Sequence, residues 1–125
     1  MNYLLDANVL LAAIWEDHPH HTRAFGWMKG KNVTVCPLAE LGFLRISTQT
    51  KTFNAPMIQT RELLKSFLSE RKANRISDDL PALESTAKKS AEVTDHYLAT
   101  LAARHGLMLA TLDGGIKHPA VRLIE

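Results

Sequence analysis

Short apolar segments alternate with amphipathic helical patterns along this chain, and that alternation constrains its fold more than any other feature. Parallel strands need long crossover connections, which are usually helices and almost always right-handed. The alternation therefore predicts an α/β fold, a three-layer α/β/α sandwich around a central, mainly parallel sheet. Buried strands are expected at residues 3–5, 33–35 and 107–110, with "VRLIE" as the last strand.

Helix signals fill the intervals between these strands. Val9, Leu10 and Ile14 share one helical face directly after the first strand. Near the C-terminus, a helix capped by Thr94 or Asp95 should end at Gly106. No repeat or linker divides the 125 residues, so we expect a single domain over residues 1–125. Further helices are expected at residues 19–28, 37–47, 55–71 and 83–90, with a short strand near Ile76.

Composition and charge exclude several classes of protein. The formal net charge of +2 tolerates a polyanionic partner without identifying one. Cys36 is the only cysteine, so neither an intramolecular disulfide nor a multi-thiolate metal site can form. The N-terminus lacks the basic region of a secretory signal, and no apolar stretch reaches the length of a membrane span. A cytoplasmic protein without membrane contact is expected.

Polar residues interrupt the apolar opening segment "YLLDANVLLAA" at Asp6 and Asn8. In open parallel sheets, side chains just beyond the carboxyl ends of strands line the ligand crevice. Asp6 occupies such a position, and Asp113 follows the strand at residues 107–110 in the same way. If these two strands are neighbours, both carboxylates point into one cleft.

Two further acids lie on helices whose faces should pack against the core. Glu40 shares a helical face with Phe43 and Leu44, where an acid is out of place unless it sits at the rim. Asp95 shares a face with Leu98, which should pack on the sheet. Both carboxylates are therefore expected to face the same region as the strand-end acids.

Each acid also has a plainer interpretation. Asp6 and Asp95 suit helix N-caps, a use of Asp worth about 1 kcal/mol each. Asp113 in "DGG" suits a tight turn, and Glu40 alone suits a solvated helix surface. These interpretations give no reason for four acids to converge. Two unit charges about 4 Å apart repel by about 4 kcal/mol at an effective dielectric of 20.

A divalent cation would offset that repulsion. Oxygen-only ligands favour hard ions such as Mg²⁺ or Mn²⁺, which keep several waters and take other ligands from substrate phosphates. Phosphodiester hydrolysis is the chemistry that such a site predicts.

Four motifs give this chain a family resemblance over nearly its whole length. They are "LLDANVL", "LAELGFLRIST", "VTDHYLATLAARHG" and "LATLD", in that order. At these motifs the sequence resembles the PIN-domain nucleases, in particular the VapC-type ribonuclease toxins of bacterial toxin–antitoxin pairs. The turn after Asp113, "GGIKHP", departs from the family by being more glycine-rich than the expected Arg- or Lys-bearing turn.

The resemblance implies a specific site and specific partners. With one or two Mg²⁺ ions (or Mn²⁺) bound, the protein would cleave RNA and leave a 5′ phosphate and a 3′ hydroxyl. The protein would be a homodimer, neutralised by a small antitoxin whose tail lies in the groove. Asn8 and Thr111 would be polar supports. The acidic metal site and catalytic residues implied by the resemblance are Asp6, Glu40, Asp95 and Asp113.

Other residues carry weaker signals. Arg45, one turn beyond Glu40, suits either a contact to RNA phosphate or an ion pair with an acid. The histidines of "HPHH" suit an exposed loop better than a zinc site, because supporting Cys or acid ligands are lacking. Trp15 and Trp27 fall within apolar helix patterns and suit core or interface anchors better than base-stacking platforms.

Two other functions compete with a metal-dependent endoribonuclease. A catalytically silent PIN-like binding module would use the acids as caps alone. An aspartyl-phosphate phosphotransferase would use Asp6 as nucleophile, since such α/β domains also place an Asp after the first strand. That chemistry expects a second acid where this chain has Asn8, and no partner lysine is clearly placed.

Overall fold

The computed structural model describes residues 2–125 and contains one parallel β-sheet. Its strands are β1 (Asn2–Leu5), β2 (Asn32–Val35), β3 (Asn74–Arg75), β4 (Met108–Thr111) and β5 (Val121–Leu123). Their order across the sheet is β3-β2-β1-β4-β5, and every neighbouring pair is parallel. The predicted parallel sheet is therefore confirmed.

Five α-helices connect the strands, and the order of the strands divides these helices between two layers. The connections from β1 to β2 and from β2 to β3 progress in one direction, whereas the return to β4 runs in the other. Right-handed crossovers then place the first four helices on one face and the last on the opposite face, which confirms the three-layer sandwich. The helices are α1 (Ala7–Ile14), α2 (His21–Trp27), α3 (Pro37–Thr48), α4 (Met57–Arg71) and α5 (Val93–Arg104).

Buried aliphatic and aromatic side chains fill the space on both sides of the sheet. Leu4 and Leu5 of β1 are fully enclosed, because β1 is the central strand and has helices on both faces. Phe43 of α3 is the largest fully buried side chain. At Gly42 a Cβ atom would lie 3.0 Å from the Cβ of Ala7, so glycine allows α3 to approach the start of α1 closely. This approach brings α3 to the end of β1.

The segment between β3 and α5 differs from the sequence expectation. The α-helix predicted at residues 83–90 is absent; two single 3₁₀ turns, Ala82–Glu84 and Ser90–Glu92, stand in its place. The segment has no apolar face to bury, since Leu83 is 100% exposed. Helices in proteins depend on such burial more than on propensity.

Several element boundaries also shift. Helix α5 begins at Val93 with Glu92 before it, so neither Thr94 nor Asp95 is its cap. Helix α2 begins at His21, after a turn, and not near Pro19. The strand expected near Ile76 ends one residue earlier, although the N–H of Ile76 still donates to Val35 O.

None of the helices in residues 2–125 has the length and apolar character needed to cross a bilayer.

Candidate active site

Asp6 lies at the carboxyl end of β1, beside the end of β4. Leu5 pairs with Ala110 in the parallel register, and the N–H of Asp6 donates to Ala110 O at 3.0 Å. The crossovers change direction between these two strands, which makes this edge the switch point where open α/β sheets bind ligands. Thr111, the last residue of β4, and Asp113, in the turn after it, lie at the same edge.

A hydrogen-bond network fixes the Asp6 carboxylate. Its Oδ1 accepts from the N–H of Ala7 at 2.7 Å, so Asp6 does cap α1 as well. Its Oδ2 accepts from Thr111 Oγ1 at 2.8 Å and from Asn8 Nδ2 at 3.4 Å. Thr111 Oγ1 accepts in turn from Asn8 Nδ2 at 3.1 Å and from the N–H of Asp113 at 3.1 Å. One hydroxyl therefore links three of the expected site residues.

Asn8 has a second function in this network. Its Oδ1 accepts from the N–H of Leu112 at 3.1 Å, which ties the first turn of α1 to the chain leaving β4. Asp113 also adopts the turn geometry expected of it, because its Oδ1 accepts from the N–H of Gly115 at 2.8 Å. Asp6 is therefore a helix cap and Asp113 a turn residue, as their plainer interpretations predicted, and both also lie at the same edge of the sheet.

Three of the acids interact electrostatically. Burial raises the pKa of Asp6 from 3.8 to about 6, and the charges of Asp95 and Asp113 contribute to the rise; hydrogen bonds from Thr111 and Ala7 oppose it. Burial likewise raises the pKa of Asp95, with a further contribution from Asp113, against the opposing charge of His96. Because each of these carboxylates disfavours the charge of another, the site has an excess of negative charge.

The acids open onto two adjoining spaces. A cleft of about 490 Å³, the acidic cleft, is lined by Asp6 and Asp95 and closed on the α3 side by Gly42 and Arg45. A recess of about 170 Å³ lies between Asp95 and Asp113. Asp95 therefore borders both spaces and connects the two strand-end acids.

Glu40 is oriented differently from the other three acids. It begins α3 as expected, but its Oε2 accepts from Arg75 Nη2 at 2.5 Å and the side chain is not among those lining the acidic cleft. Arg75 belongs to β3, and its side chain is 63% exposed against 14% for Glu40. The structure thus brings three predicted acids together and pairs the fourth with an arginine.

The donor atoms at the acidic cleft suit a hard divalent cation. They are carboxylate, amide and hydroxyl oxygens, and the charges of Asp95 and Asp113 add to the rise that burial causes in the pKa of Asp6, a repulsion that such a cation would relieve. Within residues 2–125 no group of three or more Asp, Glu, His or Cys side chains is placed to hold a metal ion by itself. An ion that keeps several waters and is bound by one or two carboxylates plus a phosphate, as Mg²⁺ is, fits this open arrangement.

The remaining sequence candidates occupy clear positions. Arg45 is exposed at the acidic cleft and forms no ion pair within residues 2–125, so it does not pair with Glu40. The His18 ring accepts from the N–H of His20, and no metal cluster forms at these histidines among the described residues. Trp15 donates to Ser47 Oγ at 2.9 Å and stacks on Phe53, as a packing residue does.

Sequence reasoning missed three residues near the site. Arg75 lies in a polar segment without periodicity, which gave no signal. His96 borders the recess beside Asp95, and its buried Nδ1 has no partner within residues 2–125. Gly42 did leave a signal, because an isolated glycine inside a helical pattern often marks a close approach.

Comparisons with known proteins identify the family of this chain. The family model described as PIN domain matches residues 3–121. Ribonuclease VapC38 of Mycobacterium tuberculosis is 35% identical, over 90% of this chain and 86% of the relative. Ribonuclease VapC39 of the same species is 31% identical, over 96% of this chain and 94% of the relative.

Solved structures show the same fold. A chain in the crystal structure of VapBC2 from Rickettsia felis bound to a promoter DNA fragment superposes with a TM-score of 0.63 at 18% identity, covering 98% of this chain and 97% of that one. A chain of a toxin–antitoxin complex from Klebsiella pneumoniae gives a TM-score of 0.62 at 14% identity, covering 98% of each chain. From the family match and these relatives, the chain belongs to the PIN-domain family.

Proposed function

We propose that this chain is an endoribonuclease that requires Mg²⁺ or Mn²⁺ and acts as the toxin of a toxin–antitoxin pair. Curated relatives at 35% and 31% identity are named ribonucleases. The observation that carries the proposal is the set of mutually repelling carboxylates at the switch point, with the pKa of Asp6 raised to about 6. A site of this charge and donor chemistry suits a divalent cation and a phosphodiester substrate.

In this proposal Asp6, Asp95 and Asp113 hold the hydrated cation, in part through its waters, and Glu40 joins them when it leaves Arg75. A bound divalent cation would lower the pKa of an attacking water and stabilise the leaving 3′ oxygen. Thr111 and Asn8 hold Asp6 in one orientation through the hydrogen bonds described above.

The substrate side of the site follows from charge. Arg45 is exposed at the rim of the acidic cleft and has no carboxylate partner within residues 2–125, so its guanidinium is available to a phosphate of the bound RNA. The cleft itself repels phosphate unless a cation is present. Arg45 therefore orients RNA, whereas the acids prepare the cleavage step.

The same proposal extends to assembly and location. Solved neighbours of the same fold are chains of toxin–antitoxin complexes, which supports a cognate antitoxin protein as partner. We further propose a homodimer, a cytoplasmic location and a single PIN-like nuclease domain over residues 1–125.

The two competing functions have less support. A phosphotransferase needs a second acid and a lysine near Asp6. In the structure Asn8 is committed to Thr111 and Leu112, and no lysine lines the acidic cleft within residues 2–125. A silent binding module would leave the repulsion of Asp95 and Asp113 on the buried Asp6 carboxylate without a purpose.

The test is cleavage of a mixed RNA substrate by the purified full-length chain. Mg²⁺ or Mn²⁺ should support cleavage and EDTA should abolish it, and Asp6→Asn should reduce it by at least about 100-fold, as loss of a central catalytic group commonly does. Asp17→Asn is the matched control, because Asp17 is an exposed acid in the turn after α1 and away from the cleft. Circular dichroism would establish that both variants fold.

Cleavage that survives both EDTA and Asp6→Asn would overturn the proposal. If no RNA is cut and Mn²⁺ leaves the melting temperature unchanged, the binding module is correct, since a specific site stabilises the folded state by mass action. A fluoroberyllate adduct on Asp6 would instead identify a phosphotransferase.

A further inference from the structure

A second depression lies on the opposite side of α3 from the acidic cleft. It occupies about 420 Å³ between α3, α4 and the end of β3. We call it the basic groove; its rim consists of Arg61, Lys65 and Arg75, and its floor of Leu44, Leu64 and Leu68.

The periodicity of α4 places the rim and the floor of the basic groove on different sides of that helix. Arg61 and Lys65 are four residues apart and exposed, so they stand about 6 Å apart along the outer edge of α4. Leu64 and Leu68 are likewise four apart and face the interior. Two cations on one edge above a leucine floor are suited to a ligand that has both charged and flat apolar parts.

Two of the three rim cations are unpaired among residues 2–125, whereas Arg75 is bound to Glu40. Arg61 and Lys65 form no ion pair within residues 2–125, and the groove lining contains no Asp or Glu. Unpaired cations that share one edge produce a positive field, which attracts a polyanion over a distance of about one Debye length, roughly 8 Å at physiological ionic strength.

Arg75 connects the basic groove to the candidate active site. It lines the groove and also donates to Glu40, whose helix α3 forms the wall of the acidic cleft. A strand that enters the cleft can therefore continue over α3 toward Arg61 and Lys65. A volume of about 420 Å³ suits a small-molecule-sized group such as a nucleoside and not an amphipathic helix, which needs a row of anchors over several turns.

We propose that the basic groove binds the RNA strand beyond the scissile bond, with backbone phosphates on Arg61 and Lys65 and one unstacked base on the leucine floor. This inference rests on the proposed ribonuclease function and assigns the groove a positioning role. Single-stranded RNA is recognised through such splayed bases and phosphate contacts. Arg61 and Lys65 touch substrate far from the reacting atoms, so they affect binding and not the cleavage step.

The experiment measures RNA binding by the full chain carrying Asp6→Asn, which prevents cleavage. The probe is a fluorescein-labelled, unstructured single-stranded RNA, and anisotropy is recorded between about 50 and 200 mM salt. The test variant adds Arg61→Gln and Lys65→Gln. The control adds Arg23→Gln and Lys29→Gln, which remove the same charge from exposed positions outside the groove. Glutamine keeps helix propensity similar, so all variants should fold.

Two lost phosphate contacts have a calculable consequence. For single strands each contact contributes about 0.7 to the slope of log affinity against log salt, so the test variant should lose about 1.4 from that slope. A fourfold rise in salt then weakens the parent about sevenfold more than the test variant. The control should keep the parental slope. In the cleaving wild-type background, the same pair of substitutions should raise KM and leave kcat unchanged.

Other outcomes overturn the inference in distinguishable ways. Equal slopes and KM values for the parent and the test variant, with cleavage intact, would reject the groove while the proposed function stands. Equal losses in the test and control variants would show only a general charge effect. If the test variant instead binds RNA normally but no longer co-purifies with its antitoxin, the groove binds protein. If the wild type cuts no RNA, the proposed function fails, and the salt slope still decides whether the groove binds RNA.

Discussion

Helix α3 separates two charged regions of opposite construction. In the acidic cleft, Asp6 is buried and Asp95 is partly buried, their charges repel one another, and hydrogen bonds from α1 and from Thr111 of β4 hold Asp6 in place. In the basic groove, the charges of Arg61 and Lys65 are exposed, carried by one edge of α4 and without an ion-pair partner in the described part of the chain. A buried charge lowers the stability of the folded state through lost hydration, and its neighbours hold it in one position. An exposed charge keeps its hydration and acts over about one Debye length.

That difference predicts how variants on the two sides should behave. Substitutions in the acidic cleft should change stability, pH dependence and metal affinity, because the buried groups interact strongly with their surroundings. Substitutions in the basic groove should change the salt dependence of binding and little else. A variant that shows the behaviour of the opposite side would break the comparison.

The largest expected effect concerns Asp6 and pH. Its pKa is about 6 in the folded protein against 3.8 ordinarily, so the folded state holds a proton that the unfolded state has released between these values. Stability is therefore fully present below about pH 4 and is lost as pH rises through 6. Roughly two pKa units at about 1.36 kcal/mol each give a loss of about 3 kcal/mol.

Urea denaturation of the metal-free protein at pH 4 and pH 7.5 measures this loss. The wild type should lose about 3 kcal/mol more than Asp6→Asn over that interval, since the variant cannot titrate at residue 6. Adding Mn²⁺ at pH 7.5 should restore stability to the wild type and not to the variant. Parallel pH dependence in the two proteins would mean that the cleft does not destabilise the charged carboxylate.

The next effect concerns Thr111, whose hydroxyl joins Asp6, Asn8 and the N–H of Asp113. Thr111→Val keeps the shape but leaves these groups without their shared partner. Loss of a group that orients metal ligands typically costs about 10- to 100-fold in affinity or activity. We expect that loss in both Mn²⁺ affinity, measured by calorimetry, and RNA cleavage.

Thr34→Val provides the matched control for that variant. Thr34 is also a buried strand threonine, and its hydroxyl donates to Asn2 Oδ1 at 2.7 Å on the other side of β1. Its loss should lower the free energy of unfolding by about 1 kcal/mol, as for one hydrogen bond. Mn²⁺ affinity should remain unchanged. Equal functional losses in the two threonine variants would indicate a general packing effect and not an orienting role for Thr111.

The acidic edge could be predicted from the sequence because it depends on strand ends. Asp6 and Asp113 follow short apolar strands, and the placement of β1 beside β4 brings both to the switch point. Thr111 was expected from the family resemblance alone, and the register of β1 and β4 sets it beside Asp6. For the two strand-end acids, only local patterns and one topological rule were needed, and neither depends on side-chain packing.

The basic groove and the position of Glu40 could not be predicted in this way. Strand β3 has two exposed residues and no apolar pattern, so no sequence pattern predicted which strand it pairs with. The register that sets Val35 beside Arg75 is what carries the guanidinium to Glu40. Likewise, the segment at residues 82–92 formed isolated turns because it lacked a face to bury, a property that helix-forming residues alone do not reveal.

The smallest expected effect concerns Arg75, the residue that borders both regions. Its ion pair with Glu40 involves a guanidinium that is 63% exposed, and such pairs are worth at most about 1 kcal/mol. Arg75→Gln should therefore release Glu40 toward the cleft and tighten Mn²⁺ binding by up to about fivefold, the equivalent of that energy. Calorimetric titration of the full chain with Mn²⁺ measures the change.

Two companion variants determine whether Glu40 itself is responsible. Adding Glu40→Gln to Arg75→Gln should remove the gain, because the released carboxylate is then absent. Arg61→Gln takes one positive charge from the same groove without touching Glu40, so it should leave Mn²⁺ affinity at the wild-type value. If the single and double variants bind Mn²⁺ equally, Glu40 is not a metal ligand and its pairing with Arg75 only anchors β3 to α3. If Arg61→Gln tightens binding as much as Arg75→Gln does, the two sides of α3 share one field and are not separate regions.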